Sequence, residues 1–140
     1  ERPRTRFVAD FIGQTSFLAG ELTSVSGDEA VVEVPGAGPV RGRDPYHSSA
    51  SGSVALAIRP ERVSLVQDLV GVVPNDWNRL RRRVKVVIYA GNHTQLVIEV
   101  SESATIAIHR QNRGGNDSIP TPGSNTEVAF DPDSATVLEF

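Results

Sequence analysis

Hydrophobic positions fall into two regimes along the 140-residue chain. Near the start, Phe7, Val8, Phe11 and Ile12 recur at spacings of one, three and four, the stripe of a short helix with Thr5 as its cap and Gly13 as its stop. This is the only helix the pattern predicts. Beyond it, short runs rich in Val, Ile and Thr alternate with clusters of Gly, Pro, Asn, Asp and Ser. They predict strands over 17–25, 30–34, 39–43, 53–59, 63–67, 80–90, 94–100, 104–109, 127–130 and 136–140. Gly27-Asp28 and Gly91-Asn92 sit between apolar runs and read as hairpin turns, because both Gly and Asn accept positive φ. Segments 44–52 and 114–125 read as surface loops. Strands this short and numerous must hide their edges by closure or by pairing across a second sheet. The expected class is all-β: an OB-like (oligonucleotide-binding-type) small barrel of short antiparallel strands, single or doubled, with one short N-terminal helix.

Composition adds limits. A hydrophobic content of 39% supports a real core, yet no run is long enough to span a bilayer as a helix. The chain has no cysteine, so disulfides, thiolate metal sites and a catalytic thiol are all excluded. It also has no methionine, which raises the expectation of a larger parent polypeptide. The stretch from Phe7 to Ile12 is too short, and too interrupted by Asp10, for the apolar region of a signal peptide. A net charge of −3 argues against a surface built for nucleic acid or anionic lipid.

The sequence offers little chemistry. No phosphate-binding loop with its lysine occurs, so direct ATP hydrolysis is not expected of these residues. Gly36-Ala37-Gly38 is glycine-rich but runs into Pro39 and Val40, with no helix to supply an anion-binding N-terminus. His47, His93 and His109 lack partners at metal-ligand spacing. Asp131-Pro132-Asp133 follows a strand and reads as a turn, and the serines around His47 have no nucleophile-elbow spacing. Arg79, Arg81, Arg82, Arg83 and Lys85 form the one basic run, at the start of a long strand. Strict alternation sets Arg83 and Lys85 opposite Val84, Val86 and Ile88. With only one Trp, two Tyr and five Phe in the chain to stack bases, the run reads as a solvated or protein-facing stripe.

Several strings, in order, resemble the C-terminal transport-associated OB (TOBE) domain of ABC-importer ATP-binding subunits of the polyamine, iron and small-solute uptake type. Phe7-Val8-Ala9-Asp10-Phe11-Ile12-Gly13 followed by Ser16-Phe17-Leu18 resembles the segment leading from the ATPase domain into the first barrel strand, with Ser16 where the family usually has Asn. Val54-Ala55-Leu56-Ala57-Ile58-Arg59-Pro60-Glu61 resembles the family's buried strand ending in Ile-Arg-Pro-Glu, the most specific match. Val86-Val87-Ile88-Tyr89-Ala90-Gly91-Asn92-His93-Thr94 is similar to its strand, glycine turn and following strand. Gln111-Asn112, Asp131-Pro132-Asp133 and Val137-Leu138 complete the resemblance.

The resemblance implies a helical segment over 1–13 linking from an ATPase domain outside this chain, and a TOBE/OB-like regulatory domain over 14–140. It implies no catalytic residue and no cofactor here, ATP and Mg belonging to the parent subunit. The implied partners are a second copy of the subunit, the ABC ATPase domain, membrane permease subunits and a small-molecule solute, on the cytoplasmic face of the membrane. No nucleic acid is expected. Arg59, Glu61, Tyr89, Gly91, His93 and Thr94 are the candidate ligand or interface residues, and no metal site is expected. The alternative reading is a free-standing OB module for nucleic acid or oligosaccharide, motivated by the barrel and by Arg81-Arg82-Arg83.

Overall fold

The computed structural model describes residues 15–45, 52–112 and 118–139, so the predicted helix lies outside the described residues. The strands are β1 (Ser16–Ser26), β2 (Glu29–Val34), β3 (Gly38–Arg43), β4 (Gly52–Ile58), β5 (Ser64–Leu65), β6 (Asn78–Ala90), β7 (His93–Ser101), β8 (Ala104–Gln111), β9 (Asn125–Phe130) and β10 (Ala135–Glu139). The all-β expectation holds. β7 shows why these runs are strands: Thr94, Leu96, Ile98 and Val100 are buried while every second residue between them is half-buried. That period of two suits only a pleated ribbon with one face on a core.

β1, β2, β3, β10 and β4 close into a barrel in that order. Neighbours are antiparallel except β3 and β10, which run parallel with Thr136 beside Arg43. This OB-like closure needs a small residue at the seam. A Cβ on Gly42 would lie 2.8 Å from the Ala135 carbonyl oxygen. Between β4 and β10 the chain builds a second five-stranded sheet, ordered β5-β9-β6-β7-β8. One core runs through both units, joining Leu18, Leu56 and Ile58 of the barrel to Leu96, Ile98 and Phe130 of the sheet. Each such side chain contributes about 1.5–3 kcal/mol by leaving water.

Polar ties fasten the units. The Ser16 hydroxyl accepts from the Ala107 N–H at 2.9 Å, joining β1 to the outer edge of β8. Buried Asn78 does the same for β3 and β6: its Oδ1 accepts from the Arg41 N–H and its Nδ2 donates to the Arg41 carbonyl, both at 2.9 Å. Its amide thereby substitutes for a strand neighbour. At the barrel seam, Arg43 donates to Asp133 at 2.5 Å and pairs with Glu29 at 3.1 Å. These two carboxylates, Asp133 first, hold the guanidinium well above its ordinary range.

The structure corrects four expectations. The predicted strand 63–67 shrinks to β5, flanked by 3-10 turns at Pro60–Arg62 and Val66–Asp68. Pro60, whose ring presets φ, starts the first turn, so β4 ends at Ile58 and Arg59 leaves the ladder. Residues 46–51 of the loop expected over 44–52 lie outside the described residues, but its first residue, Asp44, is fully buried instead of on the surface, and among the described residues neither carboxylate oxygen has a hydrogen-bond partner. Finally, the alternation along β6 breaks at a bulge between Val84 and Val86. Val84 is buried, whereas Val86 and Ile88 are 37% and 46% exposed, and Val87 faces the core in their place. The Asp131-Pro132-Asp133 turn is as expected, with Asp131 Oδ1 capping the Asp133 N–H at 2.9 Å.

Candidate functional site

The tip of the β6–β7 hairpin and the end of β8 gather four of the six candidate residues. Gly91 turns at φ 64° with open space around it, so the hairpin reverses over Gly91 and Asn92 between paired Ala90 and His93. Asn112 then locks the tip from the end of β8. Its N–H donates to the Asn92 carbonyl at 2.8 Å, its Nδ2 donates to the Gly91 carbonyl at 3.0 Å, and its Oδ1 accepts from the buried Thr94 hydroxyl at 2.5 Å. Gly91 and Thr94 thus have positioning contacts, and Asn112, noted in the sequence only within a polar segment, is the residue that makes them. His93 lies across the sheet from His109, ring centroids 5.7 Å apart, and the Nε2 of His109 is buried without a hydrogen-bond partner. Tyr89 stands 69% exposed.

Behind this tip, Arg110 on β8 grips Asp68 of the Val66–Asp68 turn through two bonds, 2.6 and 2.9 Å. The side chains are 7% and 13% exposed. A forked guanidinium on a carboxylate in so dry a place is directional and strong. It draws the β8 edge of the second sheet toward the β5 side. Arg59 and Glu61 are exposed around the Pro60–Arg62 turn, and no hydrogen bond or ion pair among the described residues links them to the hairpin tip. The structure therefore splits the six candidates into a hairpin group and a turn group. The Pro60–Arg62 turn does pack against β8.

The basic run is largely consumed internally. Arg79 pairs with Glu127 at 2.9 Å, Arg83 with Glu99 at 2.9 Å, and Arg82 caps the Gly36 carbonyl. A phosphate ladder needs such guanidinium groups free. Gly36-Ala37-Gly38 is the β2–β3 turn, pressed onto the end of β7. Gly36 sits at φ 88°, the Ala37 N–H donates to the Val34 carbonyl at 2.9 Å, and a Cβ on Gly36 would fall on the Val100 carbonyl oxygen. Such a turn has no room to wrap a phosphate. Among the described residues no three His, Asp or Glu side chains converge as metal ligands would, and no helix is long and apolar enough to cross a membrane.

The TOBE domain pattern matches residues 56–138. Over 140 residues the chain is 31% identical to the spermidine/putrescine import ATP-binding protein PotA of Rubrobacter xylanophilus, covering 99% of this chain and 35% of that protein. It is 30% identical over 139 residues to the protein of the same name from Thermobifida fusca, again covering 99% and 35%. The chain thus spans about a third of the length of these curated relatives. Among solved structures, the cytoplasmic molybdate-binding protein ModG superposes with a TM-score of 0.74 at 13% identity, over 89% of this chain and 95% of that one. That likeness is one of fold.

Proposed function

Because the chain belongs to the TOBE domain family, we propose that it is the accessory, regulatory domain of the ATP-binding subunit of a bacterial ABC importer for polyamines or a related small solute. The observation that carries this reading is similarity along 99% of the chain to about a third of each of two subunits named for spermidine/putrescine import. In this reading residues 1–13 lead in from the ATPase domain and residues 14–140 form the regulatory body. ATP and Mg bind elsewhere in the parent, and the partners are a second subunit, the ATPase domain and the permease, at the cytoplasmic face of the membrane.

The domain works by contact. A barrel and a second sheet sharing one continuous core can hold two ATPase subunits in one of two arrangements, and the difference in contact energy between them sets the activity. Tyr89, Gly91 and His93 of the hairpin group, held from beneath by buried Thr94, and the turn group, Arg59 and Glu61, are the surfaces assigned to those contacts. Asn112 stiffens the first and Pro60 the second. The experiment is ATPase and transport assay of the full-length subunit with its permease, with and without this domain. Solute should shift the ATPase rate or thermal stability of the intact subunit across a panel of polyamines, iron and oxyanions. Unchanged values throughout the panel remove sensing, and unchanged coupling on deletion removes regulation.

A further inference from the structure

We propose that His93 of β7 and His109 of β8 form a two-imidazole site for a divalent transition metal of the zinc, nickel or copper kind, at the corner of the second sheet beside the hairpin tip. The site stands on the geometry of the sheet and is independent of the importer reading.

The two histidines are sixteen positions apart, too far to announce a ligand pair in the sequence, but the register of β7 and β8 brings them onto one face. His93 lies across from Gln111 and His109 across from Gln95, so the histidines are diagonal neighbours. Diagonal positions stand about 7–8 Å apart, within reach of ring side chains. Here the ring centroids come to 5.7 Å. Both residues are half-buried, on the face opposite Thr94, Leu96, Ile108 and Arg110, which are buried on the core side.

A buried ring nitrogen costs free energy when nothing meets it. Among the described residues no donor or acceptor meets Nε2 of His109. A metal ion would. Held about 2.0–2.1 Å from one nitrogen of each imidazole, a single ion keeps two ring centroids roughly 5–6.5 Å apart. The observed separation of 5.7 Å falls inside that span. The donors also select the metal: two neutral nitrogens suit zinc, nickel and copper, whereas magnesium and calcium require oxygen ligands. No cation opposes an ion from across the strands, since the facing residues Gln95 and Gln111 are neutral amides. Arg110 points to the other side of the sheet, where Asp68 holds it. No third His, Asp or Glu joins the pair among the described residues, so the ion keeps open positions for water. Bound there, it braces β7 and β8 just behind the tip that Asn112 locks.

The test is titration of the untagged 140-residue chain with zinc chloride and, separately, nickel chloride, followed by calorimetry and by the imidazole signals in NMR spectra. One ion should bind per chain, perturb the signals of His93 and His109 and leave those of His47, the remaining histidine, in place. The unfolding midpoint should rise with ion concentration, because only the folded sheet presents the pair. Magnesium chloride should do none of this. His93→Gln and His109→Gln should each weaken zinc binding by more than about tenfold, the least that loss of a residue merely supporting a metal ligand costs. His47→Gln should leave binding unchanged. If a variant fails to fold, the ring signals of the intact chain still decide. Absence of binding overturns the site, as does zinc that perturbs His47 instead of the pair, or binding that survives both single substitutions.

Discussion

At the scale of single residues, close approach matters more than residue type. Gly36 and Gly27 both have positive φ, 88° and 63°, yet only Gly36 has backbone where a Cβ would go. Gly27→Ala should cost about 1–2 kcal/mol, the left-handed penalty alone. Gly36→Ala should cost clearly more, because the Val100 carbonyl and Ser101 must also move and the Arg82 cap on its own carbonyl is disturbed. Urea denaturation of the two variants, compared by midpoint, checks this. Equal losses would show that the hairpin is not wedged against β7. In the sequence Gly27-Asp28 reads as a hairpin turn and Gly36-Ala37-Gly38 only as a glycine-rich stretch, since what crowds Gly36 lies more than sixty positions away. For the same reason Asp44 read as a loop residue: polar character is local, and the barrel that encloses it is not.

At the scale of elements, strands with strict alternation were legible and their interruptions were not. β2, β3, β7 and β8 lie where periodicity put them, because each has one face on the core. In β6, Val84, Val86 and Ile88 look like one apolar face, but the bulge at Lys85 turns the last two outward. Nothing in the string Val84 to Ile88 marks an inserted residue, as its register is set by β7. Val63 and Leu65 are both buried and so imitate a longer strand, although 3-10 turns bracket them. Of the candidate site, the hairpin was readable from Gly91-Asn92, whereas the Arg110–Asp68 fork joins residues 42 positions apart and had no sequence signal. That fork is testable. Arg110→Ala should cost about 3–5 kcal/mol, since it removes one member of a nearly buried ion pair, and the double variant Arg110→Met with Asp68→Leu should regain much of the loss. A thermodynamic cycle on unfolding free energies measures the coupling. Full additivity would mean that the pair does not hold β8 toward β5.

At the scale of the whole molecule, the family strings identified an OB-like body, but periodicity alone could not tell one barrel from a barrel and a second sheet. The decisive contact, β3 beside β10, is parallel and joins the early chain to its far end. Since the core is continuous and Asn78 and Ser16 bridge the two units, thermal unfolding should be a single transition. Far-ultraviolet circular dichroism and Trp77 fluorescence should give coincident curves. Two separated transitions would show that barrel and sheet melt independently.

The late arrival of β10 also governs how the molecule comes into being. During translation β1 to β4 can form on the ribosome, but the seam between β3 and β4 stays open until the whole inserted sheet has emerged. Wide sequence separation slows such closure. The nascent chain consequently presents two raw strand margins to other polypeptides for most of its synthesis, and a pause just before Ala135 is the moment at which a chaperone would matter most.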